Sequence, residues 1–224
     1  MHPFALLPLL LASACLPTKD VADPGEADAD TDADTDSDTD ADTDADTDAP
    51  ADVGAGVLLY DGNGGGGYDI DVEALEALYD GAGLDADVSD SVPTALADDY
   101  GLLVVLSPAS GFPAAAPARE LVARGGRVVV VTEHGAYGDH VGATAFLADL
   151  GSTMRSLEAS NTGDVPLAVT SVPPLTEGVG ALELFYCADI DVGDGTALGT
   201  RGDGEPGIGW EAVERGDVLL VPDG

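Results

Sequence analysis

The chain has few basic side chains. It contains 7 lysines and arginines against 43 aspartates and glutamates, which gives a formal net charge of −36 over 224 residues. Nucleic acids are polyanions that proteins bind chiefly through lysine and arginine, so this balance argues against a nucleic-acid partner. It also disfavours electrostatic docking on anionic lipid. The length predicts one folded domain with an appendage.

Cysteines and long apolar runs are also scarce. The only two cysteines, Cys15 and Cys187, exclude a disulfide-dense scaffold. The N-terminal apolar run, residues 4–14, would form a helix of about 16 Å, which is too short for a hydrocarbon core of about 30 Å. A short apolar run that ends in small residues is typical of a secretory signal peptide, which we assign to residues 1–14.

The end of this run carries a recognisable motif. Ala12-Ser13-Ala14-Cys15 resembles the lipobox of bacterial lipoproteins, in which the cysteine becomes the lipid-modified first residue. The resemblance implies export, lipidation of Cys15, and anchoring to a membrane in the cell envelope or at the cell surface of a bacterium. The alternative is an ordinary signal peptide cleaved near Ala14. A lipidated Cys15 would leave Cys187 without an intramolecular partner, so we expect no disulfide.

The acidic residues are unevenly distributed. Residues 20–48 hold 14 acids and no base, with aspartate at every even position from Asp28 to Asp48. Such a segment has too little apolar surface to offset the entropy of ordering, and its charges repel one another. We therefore predict a disordered tether over residues 15–52, similar to the Asp/Thr-rich spacers of many bacterial surface lipoproteins. An EF-hand calcium loop needs a glycine at its sixth position and a glutamate at its twelfth, and no stretch of this segment meets both requirements, so we expect only diffuse binding of divalent cations.

Residues 53–224 have the pattern of an α/β domain. Short apolar runs alternate with segments of helical periodicity, which is typical of a mostly parallel sheet with helices on both faces. Beyond residue 165 the pattern turns strand-rich, and we interpret those strands as antiparallel and edge strands. Strands are predicted at 56–60, 86–89, 102–106, 127–132, 167–172, 182–188, 197–200, 208–213 and 218–221, and helices at 69–80, 114–124 and 142–150.

Several of these segments resemble a known family. The glycine-rich loop after 56–60, the segment Asp-Asp-Tyr-Gly-Leu-Leu-Val-Val-Leu-Ser-Pro at 98–108, and Ala-Arg-Gly-Gly-Arg-Val-Val-Val-Val at 123–131 are similar to class I glutamine-amidotransferase-like domains. The turn at 174–179 is similar to one in their ThuA-like and gliding-motility or intraflagellar-transport auxiliary branches. The resemblance implies a flavodoxin-like/amidotransferase-like α/β fold. Active amidotransferases carry a cysteine on a sharp turn after the third strand, and Ser107 occupies the matching position here.

The best local candidate for a site follows a central strand. Glu133, His134, Asp139 and His140 lie at its carboxyl end, where open α/β sheets bind ligands, and Asp61 follows another strand. Glu133, His134 and Asp61 are candidates for acid–base catalysis, and His134, His140 and Asp139 are candidates for a metal site. A solvated loop explains the same residues equally well.

The other candidates have simpler explanations. Gly62, Gly64 and Gly67 satisfy a dinucleotide fingerprint, but the surrounding aspartates disfavour a phosphate, so we expect a flexible loop and no cofactor. Cys187 lies in a predicted strand and is expected to be a buried small hydrophobic residue. Trp210 is expected to pack against the terminal strands.

The sequence is compatible with two functions. The first is a non-catalytic module that binds an unknown protein or small molecule on a lipid-anchored protein. The alternative is a hydrolase acting on a small or carbohydrate-like substrate through Glu133, His134 and Asp61. Residues 51–224 keep a net charge of −23 without a lysine, which predicts a solvated acidic surface.

Overall fold

A computed structural model describes residues 53–62, 71–108, 111–159, 161 and 163–222. The signal peptide, the tether and Cys15 lie outside the described residues, as do Gly64, Gly67 and Asp69. In the part of the chain that is described, no helix has the length and apolarity needed to cross a membrane.

Eleven strands and four helices are formed by the described residues. The strands are β1 Gly56–Tyr60, β2 Ala86–Ser89, β3 Tyr100–Leu106, β4 Arg127–Val131, β5 Arg155–Leu157, β6 Asp164–Val169, β7 Leu182–Phe185, β8 Asp189–Asp191, β9 Thr196–Thr200, β10 Pro206–Val213 and β11 Gly216–Val221. The helices are α1 Val72–Gly81, α2 Leu96–Asp99, α3 Ala115–Ala123 and α4 His140–Asp149, and a 3₁₀ turn covers Gly135–Tyr137.

Nine of the strands form one mixed sheet in the order β2-β1-β3-β4-β11-β10-β9-β6-β7. Neighbours from β2 to β11 are parallel, and neighbours from β11 to β7 are antiparallel. The remaining two strands, β5 and β8, pair separately as a small antiparallel sheet. The prediction of an α/β domain is therefore confirmed, but the sheet that we predicted as mostly parallel is mixed, with four parallel and four antiparallel pairings.

The position of the last strand differs from the prediction. We expected 218–221 among the antiparallel and edge strands, but β11 lies in the middle of the sheet and runs parallel to β4. A two-residue hairpin turn connects it to β10, and Glu214 adopts a left-handed φ of 53° in that turn. The tight hairpin places β11 beside β10, and the other edge of β11 pairs with β4.

The core has two layers, one on each face of the sheet. In β1, Val57 and Leu59 contact one layer, whereas Leu58 and Tyr60 contact the other. The first layer includes Tyr79 of α1 and leucines from β6, β7 and β9. The second layer contains side chains of α3 and α4. Strands buried on both faces have continuous apolar sequences, which is why the sequence revealed them.

Aspartate side chains cap the starts of α1 and α4. The Asp71 side chain accepts a hydrogen bond from the backbone N–H of Ala74 at 3.0 Å and so caps α1. Asp139 likewise accepts from the N–H of Gly142 at 2.8 Å. Helix α4 therefore begins at His140, two residues before the predicted start.

A buried ion pair joins the amino ends of two central strands. Arg127 begins β4, and its side chain is 4% exposed, whereas the side chain of its partner Asp217 is 19% exposed. It donates two hydrogen bonds to Asp217 of β11, from Nε at 2.5 Å and from Nη2 at 2.7 Å. A bidentate pair of this kind fixes the strand register at the edge opposite the candidate site.

Candidate functional site

The candidate site begins where the central parallel strands end. Ser107 follows β3, and Thr132, Glu133 and His134 follow β4. The backbone N–H of Ser107 donates to the carbonyl of Val131 at 3.0 Å, so the two strand ends stay side by side. In open α/β sheets ligands bind at this carboxyl edge.

Glu133 is a buried carboxyl group with one unpartnered oxygen. Its side chain is 1% exposed, and its Oε2 lies 3.1 Å from Nδ1 of His134. Those two atoms are close but are not aligned as a hydrogen bond, and Oε1 has no hydrogen-bond partner among the residues that the structure describes. Burial raises the pKa of the Glu133 carboxyl above its usual range, although the neighbouring His134 acts in the opposite direction.

Aromatic rings lie around the His134 imidazole. The ring of Tyr137 lies 5.1 Å from it and the ring of Tyr186 lies 5.3 Å from it, centroid to centroid. Phe185 packs edge-on against Tyr186 at 4.4 Å. Tyr186 has a left-handed φ of 56°, which is uncommon for a bulky residue and turns the chain at the end of β7.

His140 has a structural set of partners. Its Nε2 lies 2.7 Å from the carbonyl oxygen of Gly135, and its Nδ1 lies 2.7 Å from the hydroxyl of Ser156. A carbonyl oxygen only accepts hydrogen bonds, so Nε2 carries a proton and offers no lone pair to a metal. The Ser156 hydroxyl lies a further 3.2 Å from that of Thr132. His140 thus ties the 3₁₀ turn to β5.

The other predicted metal ligands are also dispersed. Asp139 is engaged as the cap of α4. Over the described ranges, no group of three or more His, Cys, Asp or Glu side chains is placed to hold a metal ion. The predicted set of His134, His140 and Asp139 is therefore not brought together as a metal centre.

Asp61 lies across the sheet from the Glu133–His134 pair. It follows β1, and β3 separates β1 from β4. At the usual strand spacing this places the two strand ends about 10 Å apart. The carboxylate of Asp61 and the pair therefore lie on opposite sides of the Ser107 turn.

Ser107 and Cys187 differ in their backbone settings. Ser107 has a positive φ of 29°, so the chain turns sharply at the end of β3. The side chain of Ser107 is half-buried, and the next residue in the chain is Pro108. Cys187 is fully buried, as predicted, but it lies beyond the end of β7 and not inside a strand. Trp210 packs against the core from β10, which confirms that expectation.

A groove of about 550 Å³ opens beside this edge. It lies between the 3₁₀ turn, the first turns of α4, and β5. Its lining residues are Gly135, Ala136, Gly138, Asp139, His140, Val141, Thr144, Arg155, Ser156, Leu157 and Glu158. We did not predict this groove, because β5 has three residues and shows no strand pattern of its own.

Exposed apolar side chains concentrate at this groove. Val141 is 83% exposed, Tyr137 is 58% exposed and Leu157 is 42% exposed. Val141 and Leu157 line the groove, and Tyr137 belongs to the 3₁₀ turn that forms its wall. The fourth large exposed hydrophobic side chain among the described residues, Val88, lies on edge strand β2.

Comparisons with known proteins inform the fold. No family model and no curated protein matches the sequence. A cytoplasmic protein of Salmonella typhimurium LT2 is similar in structure, with 13% identity, a TM-score of 0.57, and coverage of 75% of this chain and 87% of that one. The N-terminal domain of mmIFT52 has 13% identity and a TM-score of 0.52, with coverage of 75% of this chain and 86% of that one.

Glycosidases form another group of structural neighbours. The exo-β-1,4-mannosidase Op5Man5 of Opitutaceae bacterium strain TAV5 has 13% identity and a TM-score of 0.52, and the match covers 76% of this chain. The match covers only 31% of the mannosidase chain. At these identities the neighbours show an α/β fold that recurs both as a small protein and as part of a larger enzyme.

Proposed function

We propose that this chain is a non-catalytic binding module of an exported, lipid-anchored protein. Its folded domain would bind a protein or small-molecule partner at the carboxyl edge of the sheet, while residues 15–52 hold it away from the membrane. The lipobox-like sequence ending in Cys15 and the acidic spacer behind it support the anchored arrangement.

We also propose that the domain is a flavodoxin-like, amidotransferase-like version of the α/β fold. The order β2-β1-β3-β4-β11 is a parallel set in which β11 occupies the fifth position of a 2-1-3-4-5 sheet. The sharp turn at Ser107 after β3 supports the same assignment.

The groove carries the proposal of a binding module. Val141 and Leu157 expose apolar surface in one concavity, and Tyr137 is exposed on the adjoining 3₁₀ turn, in a domain whose sequence is strongly acidic. Exposed apolar patches on soluble domains mark interaction sites, because leaving them in water is unfavourable. The polar residues nearby are engaged in the fold: Asp139 caps α4, and His140 bonds to Gly135 and Ser156.

Site-specific photo-crosslinking tests the binding role. A photoreactive side chain at Val141 of the full chain should form discrete adducts in the native cells, whereas the same side chain at Val88 should form few. Val88 is a matched control because it is also an exposed valine, on edge strand β2. Equal labelling from both positions would contradict a binding site at the groove.

The anchoring role has an independent test. Cys15→Ala removes the sulfur that would carry the lipid, so the variant should leave the membrane fraction and appear among the soluble exported proteins. Ser13→Thr keeps that sulfur and should partition as the native chain does. Unchanged partitioning of the Cys15 variant would overturn the lipid anchor and favour simple cleavage near Ala14.

The Glu133–His134 pair favours one alternative, a hydrolase. A buried carboxyl with a raised pKa beside an imidazole is the setting of a general acid, and Asp61 lies across the same edge. Under this alternative, chromogenic glycosides or esters would be turned over by the native chain, and Glu133→Gln would abolish the turnover. Turnover of that kind would overturn the non-catalytic proposal.

A further inference from the structure

We propose that the groove binds a cationic amphipathic helix of a partner protein, with apolar side chains in the groove and lysines or arginines on the flanks. This inference rests on the proposed binding function and names the chemistry of the partner. Four features carry it: a rigid groove, exposed apolar anchors, a closed strand edge and a negative field.

The groove is held open by internal hydrogen bonds. His140 joins Gly135 of the 3₁₀ turn to Ser156 of β5 through two contacts of 2.7 Å. The Thr144 hydroxyl of α4 donates to the carbonyl of Ser156 at 3.2 Å and accepts from its N–H at 3.2 Å. Hydrogen bonds therefore link α4 to Ser156 of β5 directly and link the 3₁₀ turn to Ser156 through His140. Because these bonds are present in the unbound domain, the groove is already formed before a partner binds.

The exposed apolar side chains of the groove belong to the elements that these hydrogen bonds connect. Val141 is the second residue of α4, directly behind the Asp139 cap, and Leu157 follows Ser156 in β5. Their exposed fractions of 83% and 42% show that this domain does not use them for its own core. Aliphatic surfaces held on rigid backbone are suited to receive apolar side chains of a partner.

The outer edge of β5 is closed to an added strand. One edge of β5 pairs with β8, which places Ser156 opposite Ile190. The backbone N–H and carbonyl of Ser156 point to the other side, where the Thr144 hydroxyl takes both. An extended peptide would need those two groups for its own ladder. A helix that presents apolar side chains at i, i+3 and i+4 needs none of them.

The charge of the site selects a cationic partner. Asp139 and Glu158 line the groove, and Arg155 is the one lysine or arginine in its lining. Arg155 stands directly opposite Asp191 in the β5–β8 ladder, so the cross-strand neighbour of this positive charge is an acidic residue. Residues 51–224, which include the folded domain, have a net charge of −23. That field repels a second copy of the chain, nucleic acid and anionic lipid, and it attracts a basic segment.

Binding of defined peptides to the full chain tests the inference. The probe is a fluorescently labelled amphipathic helix of leucine and lysine, measured by anisotropy. One control peptide has glutamate for every lysine, and another has serine for every leucine. The native chain should bind the leucine–lysine peptide at least tenfold more tightly than either control.

Two variants separate the groove from the acidic tether, which also attracts lysine. Val141→Ser combined with Leu157→Ser should weaken binding of the leucine–lysine peptide at least tenfold, whereas Val88→Ser should leave it unchanged. All three side chains are exposed, so thermal unfolding should match the native chain. Added salt should weaken binding of the leucine–lysine peptide to the native chain and to both variants, but the ratio between their dissociation constants should stay the same.

Contrary results are equally defined. Equal binding by the groove variant and the Val88 variant would place the peptide on the tether and overturn the inference. If the glutamate peptide bound as tightly as the leucine–lysine peptide, the proposed preference for a cationic partner would be refuted. Self-association or binding to anionic vesicles that the groove variant abolishes would assign the site to a second copy or a membrane. If crosslinking at Val141 succeeds while the peptides fail, the binding role stands and only the partner chemistry is refuted.

Discussion

Replacing Glu133 by glutamine gives a pH-dependent test of the site. Burial raises the pKa of this carboxyl, so the native protein keeps its proton to a higher pH than the unfolded chain does. Stability that depends on this proton is fully present below the unfolded pKa, about 4.3, and is lost as pH rises through the raised folded pKa. Glu133→Gln removes the titration, so the variant should gain stability over the native chain as pH rises.

The size of the gain follows from the environment of the side chain. Glu133 is 1% exposed, and its Oε1 has no hydrogen-bond partner. A buried acceptor without a partner costs about 1–3 kcal/mol. This penalty is greater for the ionised carboxylate than for the neutral carboxyl, so we expect the difference in stability between the variant and the native chain to be larger at pH 8 than at pH 4. For a domain of this size, each kcal/mol raises Tm by about 2–4 °C.

Thermal unfolding of both proteins between pH 4 and pH 8 measures the effect. Glu183→Gln is the matched control, because it removes the same charge from an exposed position on β7. It corrects for the relief of general repulsion in this acidic chain and should itself change stability by at most about 0.5 kcal/mol. A variant that loses stability at pH 8 would show that His134 stabilises the carboxylate more than burial destabilises it, which would refute the reasoning.

Two further predictions concern residues assigned to the fold. Arg127→Ala leaves the Asp217 carboxylate without its bidentate partner and should cost about 3–5 kcal/mol in urea unfolding, whereas the exposed Arg119→Ala should cost at most about 0.5 kcal/mol. A small loss at Arg127 would contradict its buried role. His140→Ala should cost about 1–3 kcal/mol, because the Gly135 carbonyl loses its side-chain partner while the Ser156 hydroxyl keeps only that of Thr132. Zinc or a chelator should leave the Tm of the native chain unchanged, and a zinc-dependent rise that the His140 variant loses would instead support a metal site.

The sequence was most informative where local patterns have a single structural meaning. The strand predicted at 56–60 matches β1. A strand that is buried on both faces has apolar side chains at successive positions, so a short continuous apolar run predicts it. The helix predicted at 142–150 begins at His140, since the Asp139 cap decides the start and the apolar spacing does not. The three-residue strands β5 and β8 were missed because each depends on the other for its pairing.

The candidate site shows the same division. Glu133 and His134 were selected from the end of a buried strand, and the structure places them side by side. His140 and Asp139 were selected with them, but hydrogen bonds to Ser156, Gly135 and Gly142 draw them into the support of α4. Partners supplied by distant segments decide such roles, and spacing along the chain does not contain them.

The shortage of basic residues, the acidic repeat and the strand–helix alternation were determined by the sequence alone. Each depends on composition or on neighbours a few positions away, and each limits the class of fold and partner. Only the tertiary structure decided that β11 enters beside β4, that the Glu133 carboxyl is buried, and that Val141 and Leu157 stay exposed around one groove. Burial and exposure are set by segments far apart in the chain, so they exist only once those segments pack together.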